Sequence, residues 1–214
     1  IALDHWQGRE AAALMVDGRL EDLLIDPAPL PRIGSIFAAK VERPMKGQGG
    51  VFVSWSEGKT RGQSFLRRAK GLTPGERVLI QISGFAEDGK APPATDRILF
   101  KSRYAILTPG ASGLNVSRSI RDDARRDILK GLAIEGMDGA AEDAGLILRS
   151  ACAEASDDDI LDDIATMRGA FSSLAEAQEF GLCVEGDGPH VLAWRDWTEP
   201  AQVETAEGSF EACG

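Results

Sequence analysis

The sequence predicts an α+β protein centred on a five-stranded β-barrel of the OB type. Three observations point there. Between Ile33 and Phe100, short β-rich runs alternate with glycine turns at the spacing of a small closed barrel. A hairpin signal precedes that stretch, and after Pro109 the pattern changes to helices mixed with single strands. With 214 residues, 43% of them apolar, the chain can bury a core and divides into at least two domains.

The apolar run Ala11 to Val16, the pair Asp17-Gly18 and the return through Leu20, Leu23, Leu24 and Ile25 read as the hairpin, because Asp-Gly accepts the positive φ of a two-residue turn. Pro27, Pro29 and Pro31 then break the chain and mark a first boundary. Barrel strands are expected at Ile36 to Val41, Val51 to Trp55, Ser64 to Leu66, Arg77 to Ile82 and Arg97 to Phe100. Turns between them fall at Gly47-Gln48-Gly49-Gly50, Gly58 to Gly62, Pro74-Gly75 and Asp88-Gly89. A helix is expected over Arg121 to Leu132, capped by Asp122 or Ser119, with a turn at Gly136 to Gly139 and an apolar strand at Gly145 to Leu148. A second helix starts near Ser156, where Asp157, Asp158 and Asp159 place negative charge at the positive end of the dipole. Its residues Ile160, Ile164, Met167 and Phe171 recur every three or four positions and form one apolar face. Val191 to Trp197 reads as a late strand, and Thr198 to Glu207 as an acidic loop or linker.

A net charge of −10 would repel phosphate if it were spread evenly. It is not spread evenly. Between Arg32 and Arg103 stand fourteen Lys/Arg against six Asp/Glu, a local balance of +8, whereas residues 1–31 carry −4 and residues 104–214 carry −14. The cations are concentrated on the barrel segment. There is no run of eighteen apolar residues and no basic-apolar leader, so the expectation is a cytoplasmic protein without a membrane partner. Cys152, Cys183 and Cys213 are too scattered for a disulfide framework or a zinc site. The chain begins at Ile1 and ends at Gly214, from which a fragment of a longer protein is expected.

Single-stranded nucleic acid is held by cations along its backbone and by aromatic rings on which bases stack. Phe52 follows the glycine turn in Val51-Phe52-Val53, and Phe65 in Ser64-Phe65-Leu66 precedes Arg67, Arg68 and Lys70. From the residues alone both rings can equally be core side chains, the commoner place for an aromatic in a strand. Asp157, Asp158, Asp159, Asp162 and Asp163 contain i to i+4 pairs that could share a hard cation, but acids at a helix start are common for dipole reasons. Lys46-Gly47-Gln48-Gly49-Gly50 lacks the order of a phosphate-binding P-loop, and His5 and His190 have no motif partners. Trp194 and Trp197 flanking Arg195 and Asp196 fit a half-buried strand.

Six segments, in this order, resemble the ribonuclease E/G family: Gly50-Val51-Phe52-Val53-Ser54-Trp55, Phe65-Leu66, Asp88-Gly89-Lys90-Ala91, Tyr104-Ala105-Ile106-Leu107-Thr108-Pro109, Ser117-Arg118-Ser119-Ile120 and Gly145-Leu146-Ile147-Leu148-Arg149-Ser150. The resemblance runs from about Ala11 to Phe171. It implies an RNase H-like piece interrupted by the OB-type barrel and a 5′-end-sensing region, with a DNase I-like catalytic domain beyond this chain. The expected division is 1–30 for the first RNase H-like part, 31–101 for the barrel, 102–192 for a mixed α/β 5′-sensor-like region and 193–214 for a return strand or linker.

The resemblance further implies that Phe52 and Phe65 stack RNA bases, that Lys90 contacts the RNA backbone beside Arg67 and Arg68, and that Arg149 and Ser150, with the backbone at Ser102 and Ile106, form a pocket for a 5′-monophosphate. An arginine can offer a phosphate two parallel donors and a hydroxyl a third. Two positions depart from the family's pattern, Ser150 for a usual threonine and Ser102 for a frequent glycine, and the segment between Gly58 and Ser64 is longer. Taken without the resemblance, Arg149 also fits a surface or ion-paired arginine. The family's paired aspartates that hold Mg²⁺ have no match here, so Mg²⁺ is implied for the parent enzyme and none is expected on this segment. The expected partner is single-stranded RNA, with a homo-oligomer formed through the missing C-terminal part. Alternatives are a non-catalytic RNA-binding or ribosome-associated module, and a protein-interaction domain whose acidic half binds a basic partner.

Overall fold

Asp17 and Gly18 take φ of 51° and 75° and join β2 (Arg9–Val16) to β3 (Arg19–Ile25) in the expected antiparallel hairpin. Gln7 and Gly8 repeat this geometry and link β2 to β1 (Ala2–Trp6), a strand not foreseen from the sequence. The computed structural model describes residues 1–28, 30–43, 49–67, 71–138, 143–176, 180–197, 202–205, 207–208 and 210. The chain divides into two units, Ile1–Thr95 with Phe180–Gly214, and Asp96–Glu179.

In the first unit, β4 (Ile36–Val41), β5 (Val51–Glu57), β6 (Thr60–Leu66), β7 (Arg77–Ile82) and β8 (Pro93–Thr95) close a barrel in the order β4-β5-β6-β8-β7-β4. Counted within the barrel this is 1-2-3-5-4-1, with strands three and five parallel and the other neighbours antiparallel, an OB-type arrangement. Alternation decides what fills it. Val51, Val53 and Trp55 on β5 and Ser64 and Leu66 on β6 point inward and are almost fully buried. The Trp55 indole stacks on Phe37 with ring centroids 4.4 Å apart, and its N–H donates to Ser64 Oγ at 2.9 Å, so the buried donor is satisfied. Opposite it Gly62 makes room, since a Cβ there would stand 2.3 Å from the indole.

The fifth barrel strand corrects the expectation of Arg97 to Phe100. Pro93 starts that strand, a position where the missing N–H is tolerated. Ala94 fills the barrel while Asp96 and Arg97 are exposed, and Phe100 pairs elsewhere as β9 (Phe100–Lys101). β13 (Gly181–Val184), also unforeseen, pairs antiparallel with the N-terminal half of β4 as a sixth strand of this sheet. The expected strand at Val191 to Trp197 is helical instead: α3 (Pro189–Asp196) starts with proline in its first turn. Its N-terminus is capped from a distance, because Glu10 Oε1 on β2 accepts the His190 N–H at 2.7 Å. The acidic stretch after Trp197 lies partly outside the described residues.

In the second unit, β10 (Ala105–Pro109), β11 (Leu114–Val116), β12 (Ala144–Leu148) and β9 form a sheet in the order β11-β12-β10-β9. α1 (Asp123–Met137) and α2 (Asp157–Glu176) cover it with Leu129, Leu132, Ala133, Met137, Ile160, Ile164 and Met167. Asp122 caps α1 by accepting the Arg125 N–H at 2.8 Å, and Ser156 caps α2 by accepting the Asp159 N–H at 3.1 Å. Gly136, expected in a turn, lies inside α1. A Cβ there would stand 2.9 Å from Ile164 Cδ1, so the glycine is where the two helices approach closely, and Arg168 donates to its carbonyl at 2.8 Å.

Candidate nucleic-acid interface

Residues that alternate with the barrel core face outward. On β5 and β6 these include Phe52 and Phe65, directly opposite one another in the register, half-buried, with ring centroids 5.3 Å apart and planes inclined at 62°. The rings pack edge to face on the outer surface of barrel strands two and three, not in the core. Gly50 lies beneath, since a Cβ would stand 2.6 Å from Phe65 Cζ. The loop from Ser83 to Pro92, between barrel strands four and five, is fastened alongside: Phe65 N–H donates to Pro92 O at 2.9 Å, and Phe65 pairs with Pro93.

Lys90 is exposed on that loop and pairs with Glu87. The hydrogen bond and charge of Lys90 hold the Glu87 carboxyl below the usual carboxylate range, and the charge of Arg67 adds to this. Arg67, Lys90 and the aromatic pair thus occupy one region of the barrel. An exposed pair such as Lys90 with Glu87 contributes little to stability, so the ammonium can exchange its partner for a phosphate. Arg68 lies outside the described residues. The same loop carries Phe85, 59% exposed, which the sequence reading passed over; a phenylalanine between Gly84 and Ala86, outside any β pattern, was the available signal.

The second unit brings together Ser102, Ile106 and Arg149. Ala105 and Ile106 pair with Leu148 and Ile147, which sets the end of β12 beside the Ser102–Ala105 turn. Arg149 Nη1 donates to the carbonyls of Ser102 and, at 3.3 Å, of Arg103, and the Arg149 N–H donates to Tyr104 O at 2.7 Å. Ser150 follows, exposed, at the start of a short 3₁₀ turn (Ser150–Ala153). Cys152, within that turn, is buried, its thiol pushed up to about 11 by burial, and its S–H donates to Tyr104 O at 3.1 Å.

One carboxylate enters this group that sequence reasoning had read as a helix-start acid. Asp163 Oδ2 accepts from Ser102 Oγ and, at 3.1 Å, from the Tyr104 N–H. Its spacing was the signal: Asp163 falls on the stripe of Ile160, Ile164 and Met167, where a charge needs partners. The carboxylates of the acidic run do not converge as a ligand set. Asp157 is held by Arg125 at 2.8 Å and Asp163 by the turn, and among the described residues no three His, Cys, Asp or Glu side chains are placed to hold a metal.

A family model described as Ribonuclease E/G family matches residues 100–196. Among known proteins the chain is similar to Ribonuclease E of Synechocystis sp., 24% identical over 74% of this chain and 25% of that protein. It is similar to Ribonuclease E of Nostoc sp., 24% identical over 78% of this chain and 26% of that one. Ribonuclease G of Salmonella typhimurium is 28% identical over 49% of this chain and 21% of its own length. The chain thus spans about a quarter of the ribonuclease E relatives it matches.

Proposed function

We propose that this chain, which belongs to the ribonuclease E/G family, is the substrate-recognition portion of a cytoplasmic endoribonuclease and binds single-stranded RNA. The observation that carries the reading is the outward pair Phe52 and Phe65 on strands two and three of the barrel, the face on which OB-type barrels bind oligonucleotides. Two adjacent bases can lie against the rings, while Arg67 and Lys90 neutralise phosphates along the strand. In the second unit, Arg149, Ser150 and the backbone at Ser102 and Ile106 receive a 5′-monophosphate. The flanking segments 1–30 and 193–214 are parts of an RNase H-like subdomain of the parent protein.

A bound Mg²⁺ supplies such an enzyme with an activated water and with charge stabilisation at phosphorus. Among the described residues no three acids are placed for that task, and Asp157 and Asp163 are committed to Arg125 and to the Ser102–Ala105 turn. The chain by itself therefore binds RNA without cutting it. Titrating it with labelled single-stranded RNA over a salt series tests the reading: binding should weaken steadily with rising salt, and the RNA should stay intact when Mg²⁺ is added. Absent or salt-independent binding overturns the proposal.

A further inference from the structure

Asp163 is half-buried on the core-facing stripe of α2, and burial pushes its pKa above the usual carboxylate range despite its hydrogen bonds. A carboxylate in such a place is held by what it organises. Its Oδ2 receives both Ser102 Oγ–H and the Tyr104 N–H. Within the same turn the Ser102 N–H donates to Ala105 O at 2.9 Å and the Ala105 N–H to Ser102 Oγ at 3.2 Å. The carbonyls of that turn are what Arg149 grips: its guanidinium donates to Ser102 O and Arg103 O, and its N–H to Tyr104 O. One turn thus stands between the carboxylate and the guanidinium: the Ser102 hydroxyl and the Tyr104 N–H donate to Asp163, and the carbonyls of Ser102, Arg103 and Tyr104 accept from Arg149.

We propose that Asp163 is a positioning residue for recognition of the RNA 5′ end, acting on Arg149 through the Ser102–Ala105 turn. The inference rests on reading Arg149, Ser150, Ser102 and Ile106 as the 5′-monophosphate pocket. Without the carboxylate, the Tyr104 N–H loses its acceptor and the Ser102 hydroxyl keeps only the Ala105 carbonyl, 3.1 Å away; the turn loosens, and Arg149 no longer meets a phosphate from a set position. Asparagine at 163 keeps an acceptor oxygen for the Tyr104 N–H and removes the charge.

The test compares the affinity of the full chain for one single-stranded RNA carrying a 5′-monophosphate or a 5′-hydroxyl, in the wild type, Asp163→Ala, Asp163→Asn and Arg149→Ala. The expected result is a wild-type preference for the monophosphate that falls roughly ten-fold in Asp163→Ala, with affinity for the 5′-hydroxyl RNA unchanged and the preference largely retained in Asp163→Asn. Unchanged 5′-hydroxyl binding shows that the barrel is folded. If Asp163→Ala binds neither RNA, the Asn variant decides: retained preference supports the turn as the route, and its complete loss overturns it. A wild-type preference that survives Asp163→Ala overturns the inference alone. Equal wild-type affinity for both RNAs removes the pocket and the inference with it. A preference raised above wild type in either variant means that the carboxylate merely repels phosphate, which also overturns the positioning role.

Discussion

Phe52 and Phe65 owe their outward position to the two-residue period of β5 and β6, which sends Val51, Val53, Ser64 and Leu66 into the barrel. Phe52→Ala and Phe65→Ala are each expected to weaken single-stranded RNA binding by about 1–3 kcal/mol, since the rings offer stacking surface, with little change in the thermal midpoint. A lowered midpoint with RNA affinity intact would make both rings structural. Asp163 contributes a pH effect of its own. Its folded-state pKa lies above the unfolded value, so the folded chain binds this proton more tightly. The stability contributed is present below 3.8 and is lost as pH rises through the folded pKa. Thermal unfolding at stepped pH should therefore show the wild type losing stability relative to Asp163→Asn as pH rises above 3.8; parallel curves for the two proteins would refute this. The two-residue period could be read along the chain, but not which of its two faces is the core. The partners of Asp163 could not, because Ser102 lies 61 residues away.

At the level of elements, the barrel depends on two accommodations of side-chain volume, Gly62 under Trp55 and Gly50 under Phe65. Gly62→Ala drives a methyl into the indole from 2.3 Å, an overpacking expected to destabilise by about 1–3 kcal/mol. Calorimetry should show the midpoint falling by roughly 2–4 °C per kcal/mol in a chain of this size; an unchanged midpoint would mean that the barrel is loosely packed there. Helix starts at Asp122 and Ser156 were legible because their caps are local. α3 was not. The Trp194-Arg195-Asp196-Trp197 run reads as a half-buried strand, although tryptophans three apart fit a helix face; the other signals that decide the matter are Pro189 in the first turn and Glu10 brought in from β2, 180 residues away.

Across the whole molecule, the +8 balance between Arg32 and Arg103 outweighs the −10 average where RNA would bind. For single strands the logarithm of affinity falls with the logarithm of salt with a slope of about −0.7 per phosphate neutralised. Lys90→Ala should weaken binding to all RNA sequences alike and make that slope shallower by roughly one contact. A sequence-selective loss, or an unaltered slope, would remove Lys90 from the backbone contacts. Among the described residues no helix is long and apolar enough to cross a membrane.

The sequence by itself determined what is set within a few residues: the Asp-Gly hairpin, four of the five barrel strands, the two capped helices and the excess of cations between Arg32 and Arg103. Tertiary structure decided the rest. It closed the barrel in the order 1-2-3-5-4-1 with Pro93–Thr95 as the fifth strand, turned the Pro189–Asp196 segment into a helix, and set Asp163 against the turn that Arg149 holds. The physical reason is common to all three. Each depends on groups far apart in the chain satisfying one another's hydrogen bonds or filling one another's space; a local signal such as Pro189 in the first turn of α3 does not name the distant partner, Glu10, that completes it.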